Sequence, residues 1–173
     1  MNKLVLLPGN GAHNREWIES VQARLGGQIQ IYRHWQSGEA LIQFDHEADV
    51  LARVADGESI CVFAKSAGCF VAMKAVREQG VKIERAVFVG VAVEWGEELK
   101  IPVREWLADW DVPTLFVHKI QDPVIHLDHL KPLLPAGSEL LDLPGADHDY
   151  LELDTFIPKA RSFLLPSDGC SVE

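Results

Sequence analysis

Short apolar runs of β-branched character alternate with helix-spaced patterns along this chain, and that alternation restricts the fold more than any other feature. Residues 3–7 read as a buried strand that enters the loop Pro8-Gly9-Asn10-Gly11. Residues 15–25 then place Trp17, Ile18, Val21 and Leu25 at helical spacing ahead of Gly26-Gly27. Residues 28–34 read as a strand through Ile29 and Ile31, and residues 44–54 as a helix leaving through Asp56-Gly57. Further strands are expected at residues 59–64, 83–89, 112–118 and 138–143, with helices at 67–79 and 151–165.

Strands separated by helices imply parallel pairing, because a parallel neighbour is reached only through a crossover long enough to hold one. The expected architecture is therefore α/β: a mostly parallel sheet of about six strands with helices on both faces. The 173 residues contain no internal repeat, low-complexity tract or dividing linker, so residues 1–165 are expected to form one domain. The small polar tail, residues 166–173, is expected to fray. Residues 94–111 fit the alternation poorly. They carry Trp95, Trp106 and Trp110 around Pro102, enough for one or two short helices. Such a segment is either a packed crossover or a small lid with Trp95 and Trp106 facing a substrate pocket.

A net charge of −10 without a Lys/Arg cluster disfavours nucleic acid. No run reaches the ~18 apolar residues of a membrane span, and the apolar stretch at residues 4–7 is too short for a secretory signal. A cytoplasmic location without membrane contact is expected, and oligomeric state is left open. Cys61, Cys69 and Cys170 cannot all pair within one chain. The first two fall in segments read as buried, where an inert thiol is the simpler account.

The chemistry centres on one junction. The strand at residues 59–64 meets the helix at 67–79 with only Lys65 and Ser66 between them. A turn that tight strains the residue at its apex and needs small neighbours two positions away, which Ala64 and Gly68 provide. Ser66 is then lifted above the sheet beside the N–H groups that open the helix. In isolation such a serine is equally a helix cap.

The segment Ala64-Lys65-Ser66-Ala67-Gly68 resembles the Gly-x-Ser-x-Gly nucleophile elbow of the α/β-hydrolase family, with Ala64 for the first glycine and Lys65 where histidine is common. The resemblance continues in the family's order of Ser, acid and His. Asp122 lies in His118-Lys119-Ile120-Gln121-Asp122-Pro123-Val124 after a strand, and His148 in Leu143-Pro144-Gly145-Ala146-Asp147-His148-Asp149-Tyr150 after the last strand. It implies a triad in which His148 is the base for Ser66 and Asp122 holds its Nδ1–H, with Asp147 and Asp149 as alternative acids.

Leu6-Leu7-Pro8-Gly9-Asn10-Gly11 resembles the family's His-Gly-x-Gly oxyanion loop with Pro8 replacing histidine. By that likeness the backbone N–H groups of Asn10 and Ala67 would bind the oxyanion. The resemblance spans roughly residues 3–165 and omits the family's first hairpin. It implies a small lidless serine hydrolase that cleaves a small-molecule ester or thioester through an acyl-Ser66 intermediate, without a cofactor.

The departures at Pro8, Ala64 and Lys65 leave a non-catalytic binding protein of the same fold as an alternative. A flavodoxin-like nucleotide or phosphate binder using residues 8–13 is another. Lys65 is expected to face solvent or an acidic neighbour. His126-Leu127-Asp128-His129 and Asp147-His148-Asp149 lack metal-site spacing, so no metal is expected. The glycines do not form a dinucleotide fingerprint.

Overall fold

The computed structural model describes residues 3–166; Cys170 and the tail from residue 167 onward lie outside the described residues. In chain order the elements are β1 (Lys3–Leu7), α1 (Asn14–Leu25), β2 (Gln28–Ile29), α2 (Arg33–Ser37), α3 (Phe44–Ala55), β3 (Ile60–Lys65), α4 (Ala67–Gln79) and β4 (Ile83–Val89). There follow α5 (Val93–Glu98), α6 (Val103–Ala108), β5 (Thr114–Lys119), α7 (Leu127–Leu130) with a 3-10 turn (Lys131–Leu133), β6 (Glu139–Leu143) and α8 (Leu153–Leu164).

The strands form one six-stranded sheet in the order β2-β1-β3-β4-β5-β6, parallel at every pairing. The period-2 alternation of side chains divides the core between the two faces. Val5, Leu7, Val62, Ala64 and Phe88 meet α3, α4, α5 and α6 on one side. Leu4, Leu6, Cys61, Phe63 and Val89 meet α1 and α8 on the other. The chain moves outward from β1 to β2 and returns to the other side of β1 at β3. The crevice at a parallel sheet's ligand-binding edge therefore opens between the C-terminal ends of β1 and β3.

Gly68 is what lets α4 sit so close to β1. A Cβ at this position would collide with the Leu7 carbonyl oxygen and lie 2.8 Å from the carbonyl carbon, so any larger residue must move backbone. Both described cysteines are buried, and burial pushes the Cys69 thiol well up.

The expected strand at residues 28–34 is a correction. Only Gln28–Ile29 pair with β1, and the chain then leaves the sheet and enters α2. The buried Glu47 carboxylate accounts for this, accepting the Gln30 amide at 2.8 Å and the Arg33 N–H at 2.9 Å. The Gln30 N–H still reaches the Leu6 carbonyl at 3.0 Å, and beyond it the Arg33 N–H turns to Glu47 where β-branched residues alone suggested a strand. Residues 94–111 form the two short helices α5 and α6, separated by Lys100 at φ 64°. Among the described residues no helix is long and apolar enough to cross a membrane.

Candidate active site

Ser66 alone makes the turn from β3 into α4, at φ 51° and ψ −114°. That conformation is sparsely populated for an L-residue and costs of order 1–3 kcal/mol. Flanking bonds hold it: Ser66 N–H donates to the Val89 carbonyl, and Cys69 N–H donates to the Ser66 carbonyl, both at 3.0 Å. The hydroxyl does not cap α4. It lies 2.9 Å from His148 Nε2 instead.

His148 sits on the loop between β6 and α8, and its Nδ1 lies 2.8 Å from Asp122 Oδ2. An ionised carboxylate only accepts, so the ring proton is on Nδ1 and Nε2 is left to accept from the serine. Asp122 follows β5 and is fully buried. Its Oδ1 takes the Val124 N–H at 3.0 Å, across the turn that Pro123 stiffens. Burial alone would raise the Asp122 pKa. The bond and charge of His148, the Tyr150 hydroxyl and the Val124 N–H outweigh it and hold the carboxyl below its ordinary value. The structure thus brings Ser66, His148 and Asp122 together from three different strand ends.

Of the alternative acids, Asp149 lines the cleft beside His148, and Asp147 is engaged elsewhere. Asp147 receives the buried Lys119 ammonium at 2.8 and 2.9 Å and also accepts the Asp149 N–H at 2.9 Å. Glu152 completes that cluster at 3.0 Å from Lys119 Nζ.

The loop at residues 8–11 is pinned from behind. The Tyr32 hydroxyl donates to the Pro8 carbonyl at 2.6 Å, and the Trp35 indole N–H donates to the Asn10 carbonyl at 2.7 Å. His34 Nε2 lies 2.6 Å from the same Asn10 carbonyl. The Asn10 side chain takes the Ile42 N–H at 2.8 Å and donates to the Ala40 carbonyl at 3.0 Å. Asn10 and Ser66 line one cleft of about 300 Å³, with Trp95, Val124 and His148 also on its walls. Ala67, the first residue of α4, is buried beside Ser66.

Two expectations are corrected in part. Trp95 lines the cleft and stacks on Phe70 at 6.2 Å, but Trp106 does not reach it. After the left-handed turn at Lys100, Trp106 packs beside Arg77 of α4 and borders a separate groove with Lys100 and Pro102. Lys65 is not turned to solvent, and its acidic neighbour Asp149 is met through the backbone carbonyl. As the last residue of β3 it shares the face of Cys61 and Phe63, so its chain runs toward α1 and is only 4% exposed. Its ammonium donates to Asn14 Oδ1 at 2.9 Å and the Asp149 carbonyl at 3.2 Å, over the Trp17 ring at 4.7 Å.

Burial lowers the Lys65 pKa from 10.5 to about 8, against the opposing charges of Asp149, Asp122 and Asp147. Between those two pH values the folded protein releases a proton that the unfolded chain keeps, so folding gains stability as pH rises through the window. The gap corresponds to about 3 kcal/mol. Urea unfolding from pH 8 to 10.5 is expected to show wild type gaining roughly that much relative to Lys65→Met. Parallel stability curves for the two proteins would contradict it.

Tyr150 carries no motif and is missed by sequence reasoning, yet its hydroxyl donates to Asp122 Oδ2 at 2.6 Å. The pins on Asn10 are missed as well, because they join residues 24 or more positions apart. Among the described residues no group of three His, Cys, Asp or Glu could hold a metal.

No family model and no curated protein matches the chain. Solved structures do. A protein described as a YdeN-like hydrolase from Pectobacterium atrosepticum is similar at 20% identity and TM-score 0.72, over 94% of this chain and 90% of that one. Est1E from Butyrivibrio proteoclasticus, bound to ferulic acid, is similar at 17% identity and TM-score 0.72, over 95% and 88%. The esterase EaEST from Exiguobacterium antarcticum is similar at 14% identity and TM-score 0.65, over 95% and 92%. At these identities the likeness defines architecture: the chain has the α/β-hydrolase fold, with six parallel strands among the described residues.

Proposed function

We propose that this protein is a serine hydrolase that cleaves a small-molecule ester or thioester. One observation carries the reading: the relay from Ser66 Oγ to His148 Nε2 at 2.9 Å and from His148 Nδ1 to Asp122 Oδ2 at 2.8 Å. Ser66 attacks the substrate carbonyl while His148 takes its proton, and Asp122 holds the imidazole and stabilises the imidazolium. The oxyanion of the tetrahedral intermediate is met by the N–H groups of Ala67 and Asn10. Ala67 opens α4, where first-turn N–H groups lack intrahelical acceptors. The pinned carbonyls of Pro8 and Asn10 keep the other loop in one orientation. His148 then protonates the departing alcohol or thiol, and water repeats the sequence on the acyl-serine.

The hydrolase and esterase neighbours support this reading at the level of reaction class. The cleft of about 300 Å³ lies at the small end of ligand pockets, which favours a short acyl group. The net charge of −10 favours a small molecule over nucleic acid.

A p-nitrophenyl acetate assay tests the proposal. It should release a burst of p-nitrophenol close to one equivalent of enzyme, followed by slower turnover. kcat/KM should rise with pH, because the base must be neutral to take the serine proton. Asp122, held ionised, adds no second step near neutrality. No burst and no pH dependence between about 5 and 8 would overturn the reading.

A further inference from the structure

Tyr150 is built into the acid–base pair from the side opposite the serine. It is completely buried and adopts φ 56°, so the chain folds back two residues after His148. Its carbonyl accepts the Trp17 indole N–H at 2.8 Å, and its ring stands edge-on to the His148 ring at 5.9 Å. Gly90 makes the space, since a Cβ there would lie 2.6 Å from Tyr150 Cε2 and 3.0 Å from His148 Cε1. The hydroxyl accepts the Lys119 N–H at 3.0 Å. That bond occupies an acceptor site and leaves the single phenolic proton directed at Asp122 Oδ2, 2.6 Å away.

The same oxygen receives the His148 Nδ1–H at 2.8 Å. We propose that Tyr150 is a positioning residue that fixes Asp122 and sets the basicity of His148 by sharing Asp122 Oδ2 with it. This proposal rests on the hydrolase reading above. A carboxylate already bonded to a phenol stabilises an imidazolium less than one bonded to the imidazole alone. Tyr150 therefore keeps His148 neutral, and competent as a base, to lower pH.

Other titratable and charged groups surround this pair. Asp147 and Asp149 flank His148 on its own loop. From β3, Lys65 reaches the Asp149 carbonyl, and from β5, Lys119 holds Asp147 and Glu152. His118, also on β5, is buried with its Nε2 2.8 Å from the Ile125 carbonyl, and His13 lies on the cleft wall.

The test is the pH dependence of kcat/KM for p-nitrophenyl acetate, from pH 5 to 9. Tyr150→Phe should move the midpoint of the acidic limb upward by roughly half to one pH unit, with a several-fold lower plateau from looser placement of Asp122. A second variant avoids any loss of packing. The chain has two tyrosines, so Tyr32→Phe produced with 3-fluorotyrosine carries the label at Tyr150 alone. Fluorine makes the phenol a stronger donor, and the midpoint should move downward relative to unlabelled Tyr32→Phe. Midpoints that stay put in both comparisons, including a uniform loss of rate at every pH, overturn the proposal while leaving the hydrolase reading intact. A wild type inert toward the ester at every pH overturns both.

Discussion

Ser66→Ala is expected to lower kcat for an activated ester by about 10⁴- to 10⁶-fold, the range seen when one member of a serine–histidine pair is removed. His148→Ala should cost about as much. Ser66→Ala/His148→Ala should be scarcely worse than either alone, because the hydroxyl and the imidazole act as one unit across their 2.9 Å contact. Residual rate above water would come from the N–H groups around Asn10 and Ala67 and from binding. The fold should survive, since neither side chain belongs to the core clusters that hold the sheet. Circular dichroism alongside turnover of p-nitrophenyl acetate separates lost chemistry from lost structure. Activity within tenfold of wild type in folded Ser66→Ala would remove the serine from the mechanism.

Asp122→Asn should be nearly as damaging, at about 10⁴-fold in kcat. An amide at that position no longer enforces the Nδ1–H form, and Nε2 then carries the proton that it should accept. The buried site holds two donors on Oδ2 and one on Oδ1, so the amide also forces one of them to lose its acceptor. Asp147→Asn is the matched comparison. Its carboxylate faces Lys119 and is about half exposed, and Glu152 remains to pair that ammonium. A loss under about tenfold is expected there, since an exposed partner of an ion pair contributes little. Equal losses at residues 122 and 147 would mean that the acid has been misassigned.

Most of the sheet is legible in local pattern. Residues 60–64 and 86–89 are continuous apolar runs, as strands covered on both faces must be. The tight passage from Ala64 to Gly68 announces a strained apex from steric argument alone. His148 and Asp122 are legible as loop residues at strand ends, and their meeting follows once β3, β5 and β6 lie in one sheet.

What is illegible depends on contacts distant in sequence. Residues 30–34 look like a strand until Glu47 arrives from α3 to take the Gln30 side-chain amide and the Arg33 N–H. Lys65 looks exposed by residue type, whereas strand alternation commits it to the α1 face beside Trp17 and Asn14. Trp95 and Trp106 are equivalent in sequence, and the turn at Lys100 sends only the first to the cleft. Tyr150 reads as an ordinary aromatic, and its role emerges only where the end of β5 supplies the Lys119 N–H and the turn after it supplies Asp122.

The central claim is that Ser66 is a nucleophile activated by His148. Its most direct test is intact-protein mass spectrometry after treatment with a fluorophosphonate, followed by peptide mapping. One phosphonyl group should be added per chain, on the peptide containing Ser66. The adduct should be absent from Ser66→Ala and form far more slowly in His148→Ala. Folded wild type that takes up no label, or label that persists in Ser66→Ala, would contradict the account.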